Sequence, residues 1–151
     1  MEINVSPGSI YQIGPSLFKT IPFIGAVPAG FPSPAADYIE DSIDLNDLLV
    51  KTPSATFFVR VEGESMLDAF IPPKALLIID RSVTPNSGDI IMAVVNGEFT
   101  VKRFIKSLNH VYLTPANIKF NSMEITEEMS FIVWGVVSKI IIDPKDTACS
   151  R

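Results

Sequence analysis

From residue 56 to residue 142 the chain repeats one device, a short run of β-branched, aromatic or aliphatic residues closed by Gly, Pro or Asn. Such runs fall at 56–62, 75–80, 89–95, 98–105, 110–114 and 130–142, and each reads as a strand. Asn96-Gly97 between two of them is the strongest hairpin signal in the chain. Strands this dense leave little room for helices to cover them, so the expected fold is mostly β, a single compact domain of strongly bent sheets. With 151 residues, 47% of them apolar, there is material for one well-cored domain and not for two.

The first 28 residues behave differently. Pro7, Pro15, Pro22 and Pro28 are joined by Gly8, Gly14 and Gly25, and no period of 2 or 3.6 persists, which describes an extended or partly disordered arm. Its most apolar part, 21–31, either packs on the body or enters a groove as an added strand. Residues 42–49 have the spacing of a short helix begun by Asp41 or Ser42, ended by Lys51-Thr52-Pro53-Ser54. Near the far end, 131–137 is almost wholly apolar and belongs in the core or at a subunit contact, with Trp134 read as core.

Ser65 stands out because Gly63 lets the chain turn sharply where strand 56–62 ends, leaving a small hydroxyl exposed behind it. One reading makes Ser65 the cap of a helical turn over 66–70; the other makes it a nucleophile. In strand 98–105, alternation puts Thr100, Lys102 and Phe104 on one face and Phe99, Val101 and Arg103 on the other, so one of two adjacent cations points inward. A lysine facing an apolar interior loses its proton readily and can act as a base, while the plainer reading is a lysine snorkelling along apolar surface.

Other chemistry is poorly supplied. Lone Cys149 excludes an internal disulfide, and lone His110 leaves a zinc cluster without ligands and carries no triad motif around it, so no cofactor is expected. The net charge of −5 disfavours broad contact with a phosphate backbone, hence little direct DNA binding. Asp37, Glu40, Asp41, Asp44 and Asp47 form a local acidic stretch, either a solvated face or a dock for a basic partner. No apolar run is long enough to span a bilayer, and the prolines around Val27-Pro28-Ala29 argue against a signal peptide, so a soluble, cytoplasmic protein with no membrane contact is expected.

Gly63-Glu64-Ser65-Met66, Gly88-Asp89-Ile90 and Gly97-Glu98-Phe99-Thr100-Val101-Lys102-Arg103 together resemble the LexA/UmuD family of self-cleaving serine/lysine peptidases of the SOS response. Ala29-Gly30-Phe31-Pro32 and Ile43-Asp44-Leu45-Asn46 resemble the region around and after that family's cleaved bond, and the likeness runs over 29–142. It implies a β-clip fold like that of LexA and signal peptidases. It implies Ser65 as nucleophile, Lys102 as base, backbone N–H groups of Glu64 and Ser65 at the oxyanion, and a cut between Ala29 and Gly30 that removes 1–29 from a 30–151 domain. As partners it implies a homodimer, the RecA–ssDNA filament and a Y-family DNA polymerase. The alternatives are a non-cleaving dimeric polymerase accessory, or a LexA-like repressor fragment, against which the short, Pro-rich segment before Ala29 counts. One departure is local: relatives carry Gly-Asp before strand 76–80, where this chain has Ile71-Pro72-Pro73-Lys74-Ala75, so a different turn is expected there, because neither proline can take positive φ.

Overall fold

A computed structural model describes residues 10–12, 20–24, 29–30 and 39–146. The readings that fall on the remaining residues, including Phe31-Pro32, part of the acidic stretch and Cys149, lie outside those described. The chain divides into two compact units, Gly14–Lys51 and the remainder.

The larger unit is one antiparallel sheet in the order β1-β4-β5-β10-β6-β7-β8-β9. Its strands are β1 (Ile10–Gln12), β4 (Thr56–Arg60), β5 (Leu76–Asp80), β6 (Ile90–Val95), β7 (Glu98–Ser107), β8 (His110–Thr114), β9 (Met123–Ile125) and β10 (Phe131–Ile141). The mostly-β expectation and all six strand runs hold, with ends displaced by a residue or two. Asn96 and Gly97 both have positive φ, 50° and 87°, and join β6 to β7 in the Val95↔Glu98 register of a two-residue hairpin.

Strand β6 shows why the sheet is so apolar in sequence. Ile90, Met92 and Val94 pack into a core with Leu77, Ile79 and Trp134, while Ile91, Ala93 and Val95 pack into another with Phe104 and Leu113. A strand covered on both faces has no solvent side to be polar, so the alternation expected of a half-exposed strand disappears. Strand β10 serves the same two cores, and its register against β6 slips between Val133 and Gly135. That bulge turns Trp134 onto the first core, where Phe57 and Phe99 meet its ring edge-on with centroids 5.0 and 5.9 Å away. The Arg81 guanidinium lies 4.6 Å from the same ring, and its Nε donates to the Trp134 carbonyl at 3.1 Å.

One local expectation is corrected. The predicted helix over 42–49 is in fact strand β3 (Ile39–Asp44) followed by a single helical turn, α1 (Leu45–Leu49). Residues 42–44 are paired with β2 (Thr20–Ile24), Pro22↔Ser42 and Thr20↔Asp44, so neither Asp41 nor Ser42 can cap; Asp44 caps instead, accepting from Asn46 N–H at 2.7 Å. The arm accordingly contributes strands: β2 to this hairpin and β1 to the sheet, beside β4 with Ile10↔Val59. In the turn before β5, the positive φ falls on neither proline but on Lys74, at 70°. Pro73 at the second position, Lys74 at the third and an Ala75 N–H to Pro72 carbonyl bond of 3.2 Å make a type II turn with lysine where glycine is favoured.

A Cβ on Gly135 would stand 2.5 Å from Ile79 Cγ2 and 3.2 Å from the Asp80 carbonyl oxygen. Gly135→Ala should therefore destabilise the fold by about 1–3 kcal/mol, measured as a lower urea midpoint with unchanged m-value.

Candidate active site

Gly63, at φ 86°, turns the chain out of β4, and Met66, 2% exposed, anchors it again by burying its side chain in the first core. Burial of such a side chain is worth about 1.5–3 kcal/mol, so Ser65 is held between a permissive turn and a fixed point. The following 3₁₀ turn, Leu67–Ala69, starts from Met66 and has no side-chain cap. Ser65 is thus free of the capping role that its place in the sequence also allowed. The loop is tied to the stretch after β8: Ala116 N–H donates to the Ser65 carbonyl and Asp68 N–H to the Ala116 carbonyl, both at 2.8 Å.

Strand β7 delivers the partner. Lys102 Nζ lies 2.9 Å from Ser65 Oγ, 3.0 Å from Thr100 Oγ1 and 3.0 Å from the Val101 carbonyl oxygen. Lys102 is the inward cation of the adjacent pair facing the serine; Arg103, on the other face, donates to the Gly88 carbonyl at 2.7 Å. Burial lowers the Lys102 pKa from its ordinary 10.5, because a desolvated ammonium is disfavoured against the neutral amine. The contacts suit both protonation states. An ammonium donates to all three oxygens, whereas a neutral amine donates to Thr100 and Val101 and turns its lone pair to the Ser65 hydroxyl. That is the geometry of a base poised to take a serine proton.

Against Lys102 a cleft of about 330 Å³ opens, lined by Phe99, Leu113, Met123 and Met129 together with Thr100 and the polar Asn96, Glu98 and Asn121. Its size and apolar walls fit side chains of an extended peptide. His110 is not part of this arrangement; it is exposed, and its Nδ1 bonds the Glu124 carboxylate at 2.6 Å on the β8–β9 pair. Ala29 and Gly30 form an exposed bend in the Gly14–Lys51 unit, and a Cβ on Gly30 would meet nothing within 4 Å. Glu64 is exposed, and its carbonyl accepts from Leu67 N–H at 3.3 Å and Asn117 Nδ2 at 2.7 Å. Sequence reasoning passed over Asn117; the only signal for it is a turn-forming Asn two residues after Pro115 at the end of a strand.

A serine bonded to a half-buried lysine on an antiparallel sheet is an arrangement suited to a serine peptidase that uses an amine in place of a histidine. Residues 22–138 match the Peptidase S24-like family, and the chain belongs to it, as a UmuD-like autoproteolytic member of SOS mutagenesis. It is 40% identical to the protein SamA of Salmonella typhimurium, over 83% of this chain and 86% of SamA. It is 39% identical to the protein MucA of Escherichia coli, over 95% of this chain and 96% of MucA. It is also 35% identical to the LexA repressor of Desulfatibacillum aliphaticivorans, over 88% of this chain and 66% of that repressor.

Because folding lowers the Lys102 pKa, the unfolded chain keeps this proton to higher pH than the folded one. The resulting stability penalty is complete below the folded pKa and is relieved as pH rises toward 10.5. Lys102→Met removes the titration, so the melting temperature of wild type should gain on that of the variant between neutral pH and 10.5; a constant gap would contradict the assignment.

Proposed function

We propose that Ser65 is the nucleophile and Lys102 the general base of a self-cleavage at Ala29–Gly30, separating an arm of residues 1–29 from a domain of residues 30–151. The observation that carries this reading is the 2.9 Å contact between Lys102 Nζ and Ser65 Oγ, made by an amine whose burial favours its neutral form. Neutral Lys102 takes the Ser65 proton as Oγ bonds to the Ala29 carbonyl carbon. The carbonyl electron pair moves onto oxygen, where backbone N–H groups near Ser65, with Glu64 beside it, receive it. Collapse expels the Gly30 amine, which takes the proton back from Lys102, and water then clears the acyl-enzyme. The apolar cleft beside Lys102 suits the residues flanking such a bond, and the small side chains at the bond let backbone approach the hydroxyl closely.

The processed form acts, in this reading, as a homodimer and as an accessory subunit of a Y-family error-prone polymerase. The RecA–ssDNA filament promotes the cut, and the setting is the cytoplasm. No helix among the described residues is long and apolar enough to cross a membrane. The family membership and the 39% identity to MucA over nearly the whole of both chains support the accessory role. Partly exposed apolar side chains on β10, Ile132 at 59% among them, support a subunit contact there.

Purified protein incubated at alkaline pH should yield fragments 1–29 and 30–151 by intact mass, and a dominant fragment beginning elsewhere would overturn the bond assignment. Ser65→Ala, Lys102→Ala and Lys102→Arg should each abolish cutting with circular dichroism unchanged, the last because a guanidinium keeps its proton throughout the usable range. The wild-type rate should rise with pH along one titration whose midpoint lies below 10.5. Activity in Lys102→Arg, or its loss in His110→Ala, would refute the amine base. Sedimentation should give a dimer at micromolar concentration; a monomer for both the intact and shortened chains would refute the subunit contact.

A further inference from the structure

Asn117 is polar yet only 9% exposed, and a buried carboxamide is tolerated when its hydrogen bonds are made. Both of its ends are occupied. Oδ1 accepts from Lys119 N–H at 3.0 Å, closing a turn on its own backbone, and Nδ2 donates to the Glu64 carbonyl at 2.7 Å. The first bond fixes which end of the carboxamide faces the loop, so the second presents a donor, and only a donor, to Glu64. Next along the chain, Ala116 N–H holds the Ser65 carbonyl at 2.8 Å.

In a trans peptide the C=O and the following N–H point in opposite directions within one plane. Tying the Glu64 carbonyl to Asn117 therefore turns the Ser65 N–H away from Asn117. Among the described residues that N–H meets no hydrogen-bond acceptor. An unengaged amide at the nucleophile itself, with its direction set from behind, is what a developing alkoxide requires. We infer that Asn117 is a positioning residue: it holds the Glu64–Ser65 peptide plane so that the Ser65 N–H receives the negative charge formed when Ser65 Oγ attacks. The inference rests on Ser65 being the nucleophile. It gives the aiming of the oxyanion donor at Ser65 to a side chain 53 residues beyond Glu64.

The test is self-cleavage of the full-length protein, followed by intact mass from neutral to strongly alkaline pH. Asn117→Asp keeps the size and the Oδ1 acceptor but sets an oxygen against the Glu64 carbonyl. Loss of an oxyanion donor costs roughly 10²–10³ in rate, so mis-aiming it should lower the high-pH plateau by at least roughly tenfold. In Asn117→Ser the midpoint of the pH profile should stay at the wild-type value, because the contacts of Lys102 are untouched and no charge is added; the carboxylate of Asn117→Asp favours the ammonium and can only raise it, so the variants are compared at their plateaus. A purely structural Asn117 would lower the melting temperature and leave the plateau of the folded protein unchanged. A plateau within about threefold of wild type in folded variant, or a loss explained by a shifted midpoint, overturns the inference. Asn117→Ser, which removes the reach to Glu64 without introducing a carboxylate, carries the same expectation if the aspartate variant does not fold. Ser65→Ala in the same assay separates the two claims. If it still cuts, the nucleophile assignment fails and takes this inference with it; if it is inert while the Asn117 variants cut like wild type, only the role of Asn117 fails.

Discussion

Lys102 is held by three oxygens, from Ser65, Thr100 and Val101, in surroundings that withdraw part of its water. A fully hydrated lysine would remain an ammonium and could only donate to the serine. A fully buried one without partners would be costly to fold. Strand β7 resolves the conflict by its position. It lies inside the sheet, between β6 and β8, so its side chains leave water, yet Thr100 two residues earlier on the same face supplies a polar neighbour. The two-sided core around β6 makes that placement rigid, since a slip of one residue between β6 and β7 would carry Lys102 to the opposite face.

Ser65 reaches this point by different means. Nothing in regular structure holds Ser65; it stands in a loop fixed by Met66 in the core and by hydrogen bonds to Ala116 and Asn117. The pair therefore joins a strand to a loop that is braced from the segment after β8. Its geometry depends on contacts between residues far apart in sequence and not on either segment alone.

That division explains what could be read from the residues. Strand positions announced themselves through Val, Ile and Phe, and alternation along β7 correctly grouped Thr100, Lys102 and Phe104. That Lys102 and not Arg103 meets Ser65 follows from the family likeness and the fold, because period two gives faces but not which face is the site. The helix expected at 42–49 failed for a related reason: pairing of Ser42 and Asp44 with β2 outweighed a local helical pattern, and long-range pairing is invisible to spacing. In the turn before β5 the two prolines are as unable to take positive φ as expected, and the strained φ sits on Lys74, a residue type that does not announce it. Asn117 had no local signature beyond turn chemistry; its importance lies wholly in where its amide points.

The hairpin of β2 and β3 encloses Ala29 and Gly30 between its strands, and β1 lies upstream on the same arm. Before a cut at that bond, β2 meets β3 at the high effective concentration of a tethered loop. Afterwards the same few ladder bonds must retain a free peptide, and short two-stranded pairings do so poorly. Were the peptide to leave after the proposed cut, the event would be one-way without any input of energy beyond hydrolysis. It would also strip β1 from β4, leaving Phe57, Phe58 and Val59 on a bare sheet edge whose amides and carbonyls had lost their ladder. One broken bond would then change which surface the protein offers to its surroundings, and the shape of that edge would keep the record of the cut.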